Sequence, residues 1–82
     1  MYYVYILKCS DSSLYTGVTT DLKRRITMHR AGTGAKYTRS RGVHSVVYSE
    51  RKRSRSNAQK REAEIKGWTR AQKLAFIASQ AK

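Results

Sequence analysis

Of the five carboxylates in this chain, four have ordinary local work to do. Asp11 lies in a Ser10-Asp11-Ser12-Ser13 turn, and Asp21 is an N-cap type at a helix start, where the dipole favours an anion. Glu50 adjoins a basic run, where a rim salt bridge suffices. Glu64 follows Lys60 by four residues, the spacing of an exposed helix pair. Glu62 is different. It stands four residues after Ala58 and three before Ile65, so it projects from the apolar stripe of its helix. A carboxylate there is costly unless a cation compensates it. An Arg or Lys partner is the simpler answer, and a metal ion is the other.

A second helix raises a matching question. At about 100° per residue, Leu22, Ile26 and His29 fall on one stripe, with Arg25 at its flank. Either the polar groups cap a core with their tips in water, or the stripe runs into a site. Tyr5 and Tyr15 lie on the two strands of an expected hairpin, and cross-strand pairing would bring them to one neighbourhood. Tyr, Tyr, Arg, His and Glu converging in a very basic protein are what phosphodiester cleavage needs. A hard cation on Glu62 would polarise the phosphate, and Arg25 would stabilise charge developing on it. A tyrosine or His29 would position or deprotonate the attacking water. The scarcity of acids favours one metal ion over two.

These side chains need elements to carry them. Tyr2 to Lys8 is apolar on both faces, as an interior strand is. Leu14 to Val18 resumes the strand pattern after the turn. Thr20 and Asp21 open the first helix, and Gly32 suits the position just past its end. Gly32 to Gly42 reads as a flexible basic loop, in which Lys36, Tyr37, Arg39 and Arg41 would wrap a phosphate backbone and stack a base. It reads equally well as a plain connector. Val43 to Ser49 is a third strand. Ser56-Asn57-Ala58-Gln59 is a capping-box pattern opening a helix from about Asn57 to Lys66, and Thr69-Arg70-Ala71-Gln72 repeats it. The last helix has the stripe Ala71, Leu74, Ala75, Ile77 and Ala78. The fold class is therefore α+β: a three-stranded antiparallel sheet flanked by helices in the order ββαβαα.

Length and composition bound the rest. Eighty-two residues are expected to form one domain, 1–82, with one small core. No stretch is apolar and long enough to span a bilayer, and no signal-peptide cleavage pattern follows the first residues. The single cysteine, Cys9, excludes an internal disulfide and a Cys-based zinc site, and fits a cytoplasmic setting. Lys and Arg total 18 against 5 Asp and Glu, a net charge of +13, so the expected partner is a polyanion, DNA or RNA, rather than a membrane.

Tyr3-Val4-Tyr5, Tyr15-Thr16-Gly17, Arg25, His29 and Glu62, in this order, resemble the GIY-YIG nuclease superfamily. The resemblance covers nearly the whole chain and is closest to small bacterial single-domain members. Gly34 to Arg39 also resembles a segment of that branch and of nucleases that cut branched DNA. Tyr3 stands where the signature has glycine, and Thr16 where it has isoleucine. Many members carry an asparagine after the metal-binding helix, whereas Asn57 precedes it here. The resemblance implies metal-dependent DNA hydrolysis with one Mg²⁺ or Mn²⁺. In it, Tyr5 holds the place of the general base, and Tyr15 that of a water or phosphate contact. Arg25 matches the phosphate-stabilising arginine, His29 its helical partner, and Glu62 the sole carboxylate metal ligand. A tyrosine base would need its pKa lowered by nearby cations. The resemblance further implies a role in DNA repair or branched-DNA processing, with a protein partner supplying targeting. The competing expectations are a non-catalytic nucleic-acid-binding module on the same fold, and a ribosome-associated structural protein.

Overall fold

Four consecutive residues, Val4, Tyr5, Ile6 and Leu7, have no exposed surface. A strand can be that dry only if both faces of its sheet are covered and both edges are paired. In a computed structural model, which describes residues 1–34 and 36–80 and gives residues 37–39 as backbone, this strand is the middle one of three. β1 (Tyr2–Cys9) pairs antiparallel with β2 (Leu14–Thr19) on one side and β3 (Val43–Lys52) on the other, giving the order β2-β1-β3. Tyr5 stands opposite Gly17 and Leu7 opposite Tyr15. Tyr15 is thus the diagonal neighbour of Tyr5 on the same face.

The helices divide between the two faces. α1 (Leu22–Arg30) lies on the Tyr5 face. Asp21 caps it by accepting from the Arg24 amide at 3.1 Å. Gly32, with φ +80, ends it, its amide donating to the His29 carbonyl at 3.1 Å. On the other face Val4 and Ile6 form the core with Ala58 and Ile65 of α3 (Arg55–Lys66), and Val18, Tyr48, Trp68 and Ile77 pack around it. α4 (Arg70–Gln80) closes that side.

Four expectations are corrected. A short helix, α2 (Lys36–Arg41), occupies much of the segment read as a loop. The six residues contain no glycine or proline, and Gly42, with φ +76, stops them. α3 begins two residues early: Ser54, not Ser56, is the N-cap, and its hydroxyl accepts from the Asn57 amide at 3.1 Å. α4 turns Phe76 and Ile77 inward and leaves Ala71, Leu74, Ala75 and Ala78 exposed. Phe76 stacks edge-on against Tyr48, with centroids 4.8 Å apart, and tilts against Trp68 at 5.1 Å, so the largest ring sets the helix rotation. Glu64 pairs with Arg61 at 2.6 Å rather than with Lys60. The Thr69 box is present in full: Thr69 and Gln72 exchange side-chain-to-amide bonds of 2.8 and 3.1 Å.

Candidate active site

Tyr5, Tyr15, Arg25 and His29 meet under α1. The Tyr5 hydroxyl and His29 Nε2 are 2.8 Å apart, and both residues are almost wholly buried. The three rings stand at angles to one another, with centroids 6.4 Å apart for Tyr5–Tyr15, 5.8 Å for Tyr5–His29 and 5.3 Å for Tyr15–His29. Gly17 makes room for them. A Cβ there would lie 2.5 Å from the Tyr5 hydroxyl oxygen and 3.1 Å from the Tyr15 ring, closer than side chains approach.

The electrostatics separate the roles of these groups. Burial pushes the Tyr5 phenol above its ordinary value of 10.0; Arg25 pulls the other way, and the charges of Tyr15 and Glu62 add to the rise. The lowering expected of a tyrosine base is therefore absent from the protein alone. Burial, and then the Arg25 charge, push His29 below its ordinary 6.5, so the imidazole is neutral at neutral pH and able to take a proton. The Tyr5 and Tyr15 hydroxyls hold the Arg25 guanidinium charged. Arg25 Nε is buried and has no hydrogen-bond partner among the described residues. A buried donor left unmade costs about 1–3 kcal/mol, a cost that holding a charged guanidinium beside the two tyrosines has to offset.

Glu62 belongs to the helix that packs on the opposite face of the sheet, against Val4 and Ile6. It is on α3, and with Tyr2, Val18, Thr19, Arg55 and Gln59 it lines a hollow of about 300 Å³ beside the end of β2. Its side chain is 25% exposed and pairs with Lys66 at 3.4 Å, one turn along the same helix, rather than with an arginine. The charge is near enough to act on Tyr5, though it is the smallest of the effects there. Among the described residues, no three His, Cys, Asp or Glu side chains cluster as a metal cage. One carboxylate with only a quarter of its side chain exposed can supply one or two ligands to a cation that keeps most of its water, as Mg²⁺ does.

Lys36 and Arg41 of the expected nucleic-acid grip are exposed on α2, and Arg41 is bound to Asp11 at 3.1 Å. The side chains of Tyr37 and Arg39 lie outside the described residues. A separate hollow of about 780 Å³, lined by Tyr3, Leu22, Lys23, Ile26 and Arg30, flanks α1 and includes none of the five residues singled out above.

Two features escaped the residue-by-residue reading. Glu50 is no rim residue: its side chain is 15% exposed and binds the Tyr48 hydroxyl at 2.7 Å, Lys52 at 3.0 Å and Arg61 at 3.1 Å. Its signal was available, since Tyr48 and Lys52 lie at i±2 on the same strand face. The second feature is Gly34, which lies against His29.

The GIY-YIG catalytic domain model matches residues 1–75. The chain belongs to the GIY-YIG family. It is 54% identical over 76 residues to a UPF0213 protein of Staphylococcus haemolyticus, covering 93% of each chain. It is 55% identical over 80 residues to one of Clostridium perfringens, covering 98% of this chain and 86% of that one. The solution NMR structure of a UPF0213 protein from Bacillus halodurans is similar with a TM-score of 0.62 and 46% identity, over 95% of this chain and 84% of that one. A solution NMR structure of an E. faecalis protein gives a TM-score of 0.63 at 39% identity, over 99% and 88%. This GIY-YIG chain thus falls in a branch of small relatives, and its α+β sheet is the one they share. Family membership indicates the endonuclease superfamily and DNA as substrate, and the family generally uses a divalent metal. Among the described residues of this GIY-YIG chain, no helix is long and apolar enough to cross a membrane.

Proposed function

We propose that the protein is a metal-dependent endonuclease that hydrolyses DNA phosphodiester bonds, with Mg²⁺ or Mn²⁺ as cofactor. The observation that carries this reading is the buried Tyr5–His29 hydrogen bond beside the charged guanidinium of Arg25. A phosphoryl oxygen accepts from Arg25, which stabilises the charge that builds as water attacks phosphorus. The water proton passes to the Tyr5 oxygen as the Tyr5 proton moves to His29 Nε2. Tyr5 never has to exist as a free phenolate, so its raised pKa does not obstruct the transfer. Tyr15, edge-on to His29, contacts the water or the phosphate. Glu62 holds the cation, which when bound polarises the phosphate and steadies the leaving oxygen. Lys36, Tyr37, Arg39 and Arg41 grip the backbone. The substrate proposed on the family resemblance is branched or damaged DNA, in a cytoplasmic repair role, with RNA and a targeting protein as further partners to test.

Cleavage of branched and single-stranded DNA with Mn²⁺ tests the proposal. Wild type should cut, and Glu62→Ala and Tyr5→Phe should each lose about two orders of magnitude or more. Unchanged cleavage in Glu62→Ala overturns the metal assignment. The Glu62–Lys66 pair favours a second reading, a binding module that does not cut. Salt-sensitive DNA binding with no cleavage by wild type decides for it.

A further inference from the structure

We infer that Gly34 is a positioning residue for His29: the backbone at Gly34 passes so close to the imidazole that it holds Nε2 toward Tyr5. A Cβ on Gly34 would collide with His29 Nδ1 and come within 2.8 Å of Cγ and 2.9 Å of Cε1. Side chains do not approach so closely, and here the obstacle is a ring, not the far end of a flexible chain. Nor does the ring have room to retreat. His29 is 1% exposed, Tyr5 is bonded to its other nitrogen at 2.8 Å, and Tyr15 meets it edge-on with centroids 5.3 Å apart.

Backbone conformation gives no separate reason for glycine here. Gly32 and Gly42 have φ of +80 and +76, which L side chains rarely adopt, whereas Gly34 is not among the positive-φ glycines. The missing side chain at 34 is demanded by His29. Gly17 does for Tyr5 what Gly34 does for His29, so each partner of the hydrogen bond is seated on its own glycine from a different segment. The catalytic consequence rests on the nuclease reading; the geometric claim does not.

The experiment is a double-mutant cycle on the full chain, with Gly34→Ala, His29→Ala and both together, followed by thermal unfolding and by NMR of the histidine ring nitrogens. Gly34→Ala should shift the His29 nitrogen resonances and move its apparent pKa toward the ordinary value, as the ring is pushed out of its bond to Tyr5. Gly34→Ala should cost stability in the wild-type background and little where His29 is already Ala, a non-additivity characteristic of groups in contact. If Gly34→Ala alone fails to fold, recovery of folding in the double variant carries the same conclusion. In a cleavage assay, Gly34→Ala should lower kcat about a hundredfold with DNA affinity kept, the usual effect of a misplaced catalytic group. A folded Gly34→Ala with His29 resonances and pKa unchanged overturns the inference, as does an equal cost in both backgrounds. Failure of wild type to cut DNA overturns the nuclease reading and leaves the NMR result to decide the role of Gly34.

Discussion

Tyr5 is where packing and chemistry meet in one side chain. Its ring is wholly buried between the sheet and α1, and its hydroxyl has His29 Nε2 at 2.8 Å. Tyr5→Phe keeps nearly all the buried ring and removes only the oxygen. The loss should therefore come from leaving His29 without that partner, about 1–3 kcal/mol. Chemical denaturation of the two proteins measures it, and equal midpoints would mean that the bond contributes nothing to folding. The sequence places Arg25 and His29 on one helix stripe and the two tyrosines on one hairpin, but leaves open whether the polar tips merely cap a core. Only the strand register and the Tyr5–His29 bond bring them together. What held Glu62 was not legible. Its partner, Lys66, is a flexible side chain four residues on, and sequence spacing cannot rank it against a distant arginine or a cation.

Among the elements, β1 was the most legible. Apolar residues on both its faces require a central position, and the strand order β2-β1-β3 provides it. α1 was legible from its cap and its terminal glycine. The start of α3 was not, because Ser54 and Ser56 offer the same chemistry two residues apart, and the choice depends on where β3 releases the chain. The two serines provide a direct test. Ser54→Ala should cost about 1 kcal/mol by removing the hydroxyl that accepts from Asn57. Ser56→Ala, an exposed position inside the helix, should stay within about 0.5 kcal/mol of wild type. Thermal unfolding that ranked them the other way would move the cap back to Ser56. The rotation of α4 was hidden for a related reason: its alanines suggested a stripe, but Phe76 had Tyr48 and Trp68 to meet, and only the assembled fold shows them.

Over the whole molecule, two buried groups tie stability to pH with the same sign. His29 is held below its ordinary value, so the unfolded chain takes up a proton first as pH falls. Stability should therefore begin to drop as pH goes below about 6.5. Burial alone would raise Glu50, but its bonds from Tyr48, Lys52 and Arg61 outweigh that and hold it below its ordinary value of 4.5. Its contribution is present above that value and is lost as pH falls through the lower value in the folded state. Denaturation midpoints between pH 8 and pH 3 should fall in two stages, and His29→Ala should remove the first. A flat profile from pH 7 to pH 5 would contradict the burial of a neutral imidazole.

The sheet has one more consequence. Among the described residues the sheet has three strands, and the outer edge of β3 faces no partner strand along its ten residues. An exposed edge of that length is a template on which a second chain can add a strand. Here it is guarded in two ways. The pairing with β1 slips register at Ile6/Leu7 and at Lys8/Cys9, which bends the edge out of line. Near its end β3 carries the exposed Arg51 and the long side chain of Lys52, so an approaching copy meets charge where it needs a bare backbone. The same excess of positive charge that would attract a polyanion also opposes the approach of a second copy.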